Sequence, residues 1–340
     1  MATATATQYQ AVQKGGPFTV VSIPKPCPGP NEVSIRLKAI ALNPLDWKKL
    51  YFGFMIESWP AVLGIDGAGI VEDVGQGVNN FKAGDEVFSL FGHDSRASSF
   101  QEVSVVPEMF VAKKPRNLSF EEAASLPICY CTAGAAIYSA LKIPLPFLPD
   151  GATTGPQPKS VLVLGGSSGV GAAAIQILRL ALPTAAILTT SSPQHHAHLT
   201  SLGASRGFDQ KSPSLVADIK SATPDAKGVD MIVDAVASGA SQTNIYDTLS
   251  ADGPKEVGEV FSGTQIQVPE GVKRTVAFGR QVFEPPGGKN AMTALAGLLS
   301  EGRYKLPNRV QSVGSRFEAI AKGLEVLKGG ISGTKLVVTV

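Results

Sequence analysis

The chain is sparing with the residues that most often announce a special chemistry. Its 340 residues include three cysteines, four histidines and two tryptophans, with 7% aromatic and 17% charged residues. The cysteines, Cys27, Cys129 and Cys131, are an odd set with one isolated member and one Cys-x-Cys pair. That argues against a disulfide framework and suits a reducing, cytoplasmic compartment. Cys129 and Cys131 read as small buried hydrophobes. A formal net charge of +2 leaves no electrostatic footprint for nucleic acid or an anionic membrane surface. No run of about 18 apolar residues occurs, so no transmembrane helix is expected. The opening Met1–Thr7 lacks a basic region and an apolar core, and reads as a frayed tail rather than a secretory signal.

What is abundant is apolar surface and turn chemistry: 44% hydrophobic residues, 36 Gly and 24 Pro. This is a compact, loop-rich chain, long enough for two cores. The first third reads as β. Thr19–Ile23, Glu32–Leu37 and Gly69–Val74 are short β-branched or alternating stretches separated by turn clusters, the pattern of a barrel or sandwich. Asn79–Val87 delivers a further strand, with Gly84-Asp85 as its turn.

The texture changes near Ser119. Ser119 and Glu122 have the spacing of a capping box, and Thr132–Leu141 reads as a buried helix. Residues 144–158 hold five prolines and form a loop. Strand and helix then alternate: Lys159–Leu164, Val170–Leu182, Ala185–Thr190, His195–Leu202 and Val229–Ala235. Such alternation predicts βαβ units and a parallel sheet. Gly333–Val340 is a strand again, with no partner assignable from the sequence.

Gly166-Ser-Ser-Gly-Val-Gly171 carries the clearest chemistry. An apolar strand runs into Gly166, Ser167, Ser168, Gly169, Val170 and Gly171, and a helix starts at once. Bare backbone amides and a helix N-terminus are thereby offered to a pyrophosphate. An NAD site usually adds an acid about 20 residues on, at the end of the second strand, to grip the ribose 2′-hydroxyl. Here that end is Leu188-Thr-Thr-Ser-Ser-Pro193, and no acidic residue occurs from Gly151 to Phe208. Thr190, Ser191, Ser192 and His195 form a candidate 2′-phosphate site, with Arg206 as a further cation. NADPH is the expected cofactor. The cluster His195-His196-Ala-His198 reads as a solvated helix start or phosphate neighbour. As a metal site it would put only His195 and His198 on one helix face.

With those motifs the chain resembles the zinc-independent, quinone oxidoreductase-like branch of the medium-chain dehydrogenase/reductase superfamily, and within it the fungal stand-alone trans-acting enoyl reductases. The resemblance runs through Ala41–Lys48, Leu63–Gly69, Phe81–Val87, Ser125–Ala133, the glycine motif, Leu202–Ala204, Val229–Asp234 and Gly329–Val337, with the proline-rich loop pointing to the enoyl-reductase branch. It implies an α/β protein with a GroES-like partial β-barrel formed by residues 1–125 and 290–340. A Rossmann domain, a doubly wound parallel sheet, is implied over residues 126–289. Zinc-dependent relatives carry a Cys near Asn43 and Gly-His-Glu where this chain has Gly64-Ile65-Asp66. Residues 82–118 also lack the cysteines of a structural zinc lobe, so no metal site is expected.

The resemblance further implies conjugate reduction of a C=C bond, either in a carrier-bound polyketide enoyl thioester, with a synthase as partner, or in a small enone or quinone. A non-catalytic NADPH-binding protein is the alternative from another class. Lys48 stands where relatives place a Lys or Tyr beside the nicotinamide, and is either a catalytic donor or a surface lysine next to Lys49. Thr132 reads as a cofactor-positioning residue, a helix N-cap, or both. Asn43 is a candidate cofactor contact, although Asn43 and Asp46 also suit a loop-shaping role. Tyr51, Phe52, Phe54 and Trp59 read either as an acyl-chain wall or as core.

Overall fold

A computed structural model of the protein describes residues 4–92 and 94–340. It divides into two units, Met1–Ile128 with Leu295–Val340, and Cys129–Ala294. The boundaries lie three and five residues beyond those read from the sequence.

In the first unit β1 (Thr5–Ala11) pairs with β2 (Phe18–Pro24) and β4 (Ala61–Val62). Thr5–Thr7 are therefore strand, not a frayed tail, because each backbone group finds a partner from Thr5↔Pro24 onward. Ala4 precedes the strand, its carbonyl accepting from the Lys25 amide, and Met1–Thr3 lie outside the described residues. The larger sheet is built on β3 (Glu32–Ala41), which pairs antiparallel with β5 (Asp66–Val74) and β7 (Val103–Pro107). Beyond β5 lie β6 (Glu86–Leu90) and β8 (Val111–Lys113). On the other side of β3 stands β16 (Thr334–Thr339), followed by β15 (Arg309–Ser315). The C-terminal strand thus closes on Ala39–Ala41, a pairing across nearly the whole chain. Ile35, Leu37, Ile40, Val71, Val87, Phe91, Leu336 and Val338 form the core between these strands. Period-2 burial of one face drives the register.

Helix α1 (Pro44–Phe52) leaves the end of β3, starting with Pro in its first turn and ending at Gly53 in the left-handed region. The segment α2 (Phe120–Ala124) opens with the expected reciprocal cap. Ser119 Oγ accepts from the Glu122 amide at 3.1 Å, and Glu122 Oε2 accepts from the Ser119 amide at 2.9 Å.

The second unit carries six strands: β9 (Ser160–Leu164), β10 (Ala186–Ser191), β11 (Arg206–Asp209), β12 (Met231–Asp234), β13 (Glu256–Val260) and β14 (Lys273–Ala277). All pair in parallel, in the order β11-β10-β9-β12-β13-β14. Counted from β9 this is 3-2-1-4-5-6, the doubly wound dinucleotide-binding order, with its switch point between β9 and β12. Before the sheet, α3 (Pro127–Gly134) runs into a wider π-type turn over Ala135–Ala140, where one continuous helix is expected from the sequence. The stretch Phe120–Ala140 is long and apolar enough to cross a membrane, but 89% of an 18-residue run within it is buried in the protein, as suits core. After β9, α4 (Gly169–Ala181) packs on the sheet with Ala172–Leu178 all buried. The helix α5 (His196–Ser201) follows β10, and α6 (Leu215–Ser221) follows β11. Helix α7 (Ala291–Ser300) leads out of this unit, and α8 (Glu318–Lys328) lies between β15 and β16 in the first.

Candidate active site

In the second unit the glycine turn occupies the switch point. Gly165 has φ +73°, and the Gly166 amide donates to the Thr190 carbonyl at 2.9 Å. A Cβ on Gly166 would lie 2.1 Å from Thr189 Oγ1, and one on Gly171 would lie 2.2 Å from the Gly165 carbonyl oxygen. Only glycine lets α4 approach the turn this closely. Ser168 caps the helix, its hydroxyl accepting from the Gly171 amide at 3.0 Å. The amides of Gly169 and Val170 belong to the first turn of α4, which has no carbonyls of its own to receive them. These features fit a pyrophosphate.

The end of β10 is made of hydroxyls. Thr190 is buried and holds the turn, its Oγ1 accepting from the Gly165 amide at 3.2 Å. Ser191 is also buried, with its hydroxyl donating to the Ser192 carbonyl. Ser192 and His195 are partly exposed, and His195 Nε2 lies 3.3 Å from Gln194 Nε2. Arg206 is exposed and its guanidinium lies 4.9 Å from the centre of the Phe208 ring. Sequence reasoning missed Asp209. It stands just past the acid-free stretch, and the β10–β11 register sets it beside Ser191. Its Oδ1 accepts from the Lys211 amide at 2.9 Å, which commits that oxygen to its own turn. Thr132 is buried on α3 in this same unit.

In the first unit Asn43 lies in a buried ionic cluster. Its Nδ2 donates to Asp66 Oδ2 at 2.9 Å and to the Ala41 carbonyl at 3.2 Å, while its Oδ1 accepts from Lys335 Nζ. Lys335 Nζ also donates to Asp66 Oδ2 at 2.9 Å, and the Ile128 amide donates to Asp66 Oδ1 at 2.8 Å. Asp46 Oδ2 accepts from the Asn43 amide at 2.8 Å. Burial pushes the Asp46 carboxyl up to about 7, against the pull of Lys49 and the Asn43 amide. The Asn43 side chain is therefore engaged within this cluster, a loop-shaping use of it. Asn43 and Asp66 hold an ammonium, and among the described residues no group of three His, Cys, Asp or Glu could hold a metal. Lys335 and Asp66 lie in two of the family-like blocks, Gly329–Val337 and Leu63–Gly69, but nothing in the sequence joined them, because 269 residues separate them.

Lys48 sits on α1 in the first unit, half-buried, its ammonium 5.5 Å from the Trp47 ring centre. Desolvation lowers its pKa. The aromatic run after it splits. Tyr51, Ile56 and Trp59 pack on the core, whereas Phe52 and Met55 are exposed. Of the histidines, His196 Nε2 contacts the Ser191 carbonyl at 3.2 Å.

Residues 29–116 match the alcohol dehydrogenase GroES-like domain family. The trans-enoyl reductase tndF of Aspergillus flavipes is 32% identical over 98% of this chain and 99% of that protein. The chain belongs to the medium-chain dehydrogenase/reductase family. Among other members, the chloroplast envelope quinone oxidoreductase homolog of Arabidopsis thaliana is 32% identical over 88% of each chain. A solved NAD-dependent alcohol dehydrogenase superposes with a TM-score of 0.80 and 27% identity, over 98% of this chain and 99% of its own. Membership makes the protein an oxidoreductase of a nicotinamide-dinucleotide-dependent family.

Proposed function

We propose that the protein reduces the C=C bond of an α,β-unsaturated acyl thioester with NADPH, the acyl group being carried by a partner polyketide synthase. The observation that carries the cofactor half is the glycine turn at the switch point followed by a strand ending in hydroxyls. Likeness to a trans-enoyl reductase over nearly the full chain supports the reaction half.

Bound NADPH supplies hydride to the electron-poor β-carbon. The chain's own residues do the rest. The glycine turn and the first amides of α4 take the pyrophosphate, while Thr190 fixes the turn from behind. Ser192 and His195, both partly exposed, offer hydrogen bonds to a 2′-phosphate above the buried Ser191, with Arg206 as an accessible cation and no carboxylate before Asp209 to oppose it. Thr132 positions the dinucleotide from α3. Lys48 donates to the thioester oxygen as negative charge develops there, or gives a proton to the α-carbon. A half-desolvated ammonium of lowered pKa is suited to either act. Asn43 holds the start of α1, the helix that carries Lys48, through Asp66 and Lys335. The donor set of that cluster is filled by an ammonium, so the reaction is read as zinc-independent.

The Arabidopsis relative favours a second reading, reduction of free quinones or enones. NADPH consumption over matched enoyl thioesters, enones and quinones separates the two. Turnover of quinones with every thioester refused would replace the first reading by the second.

A further inference from the structure

The exit of β12 holds a buried acid that the proposed chemistry has not used. Asp234 ends the strand, in register with Leu164 of β9 on one side and Glu259 of β13 on the other, and is fully buried. Its Oδ1 accepts from the Val236 amide at 3.1 Å and from the Ser238 amide at 3.0 Å. Burial raises its carboxyl, while the amides of Ser238, Val236, Gly239 and Ala237 pull the other way. A carboxyl set beside Glu259 in a strand core is costly. An apolar residue would serve the sheet itself, so the use of the carboxylate lies in the turn that it gathers.

The chain does not adopt that turn unaided. Ala237 sits in the left-handed region at φ +54° and ψ 46°, which a residue with a Cβ keeps only when its surroundings hold it there. Consecutive amides around such a residue form a concavity for an anion. Asp234 fills it from within. The far end of the turn is fixed as well. A Cβ on Gly239 would lie 2.2 Å from the Tyr246 hydroxyl oxygen, and Gln242 Nε2 donates to the Gln210 carbonyl at 2.7 Å.

What the turn presents is Val236. It is 46% exposed, and a Cβ on Gly165 would lie 2.6 Å from both its methyl carbons, so it stands directly against the glycine turn. The Ala235 amide donates to the Leu164 carbonyl at 3.2 Å, which carries the contact between β9 and β12 up to that point. Ligands of open parallel sheets lie outside the carboxyl ends of the strands. A dinucleotide with its 2′-phosphate at the end of β10 and its pyrophosphate on the glycine turn therefore continues past Val236. We infer that Asp234 is a positioning residue for the cofactor: it folds residues 236–239 against the glycine turn and so sets the wall met by the half of the dinucleotide beyond the pyrophosphate. This rests on the dinucleotide reading above. The buried carboxylate acts through Val236, not by touching the cofactor.

The test is a calorimetric titration of wild type, Asp234→Ala and Asp234→Asn with NADP⁺ and with adenosine 2′,5′-bisphosphate, which lacks the half beyond the first phosphate. The alanine variant should bind NADP⁺ about tenfold more weakly, the size of one charge-assisted hydrogen bond, and the bisphosphate as wild type does. The asparagine variant keeps one acceptor oxygen in the same shape. It should show the same split at smaller size, and it is the reporter if the alanine variant does not fold. Hydrogen exchange should quicken at the Val236 and Ser238 amides in both variants, with Met231–Val233 unchanged. Equal weakening of both nucleotides, or no weakening in either variant, overturns the assignment. A wild type that binds neither nucleotide overturns the dinucleotide reading itself, before any variant is compared.

Discussion

Lys335 on the C-terminal strand donates to Asp66 on β5 at 2.9 Å, both buried, and Asn43 bridges the same two groups. A charge pair this deep gives little net stability when intact, yet is costly to break, because the surviving charge is left without compensation. Lys335→Met should therefore lower unfolding stability by about 3–5 kcal/mol. Urea denaturation measures this, and a loss below about 1 kcal/mol would mean that water reaches Asp66.

Asp46 gives the cluster a pH signature. Its carboxyl titrates near 7 in the folded protein, against about 4 in an unfolded chain. The folded state holds the proton more tightly, so this contribution is full below about pH 4 and is lost as pH rises to 7. Asp46→Asn cannot ionise, and its stability relative to wild type should climb by roughly 4 kcal/mol between pH 4 and pH 8. A difference that stays flat across that range contradicts the assignment.

Lys48→Ala should lower kcat about 10²–10³-fold, the usual cost of one such donor, with NADPH affinity nearly unchanged. The protonated lysine is the working form, and burial lowers its pKa. Wild-type kcat should accordingly fall on the alkaline side, below the ordinary lysine range, and that limb should vanish in the variant. An intact, folded Lys48→Ala enzyme with full kcat would return Lys48 to the surface.

Cofactor choice rests on the end of β10. NADPH should be preferred over NADH in kcat/KM, and Ser192→Asp should raise the KM for NADPH at least tenfold, because a carboxylate there repels the 2′-phosphate. Comparable kinetics with both cofactors in wild type would refute this.

The parallel sheet and its glycine turn were legible in the sequence because they are local: strand, turn and helix follow one another within Ser160–Ala181. Ser119 and Glu122 were legible for the same reason, at three residues' spacing. Lys335–Asp66 was not, since only the antiparallel pairing of β16 with β3 brings them together. The tail reading failed at Thr5–Thr7 because a polar Ala-Thr run shows no hydrophobic alternation, while β1 is held by its backbone ladder to β2. Thr132–Leu141 was read as one helix from its alanines, and composition alone carries no mark of the wider turn after Gly134.

The most direct measurement is NADPH oxidation by the purified protein with one enoyl group offered as free acid, simple thioester and carrier-linked thioester, beside a soluble quinone. Enoyl reduction predicts turnover that rises from acid to thioester to carrier-linked thioester and exceeds that with the quinone. Quinone turnover with all three enoyl forms inert would contradict it.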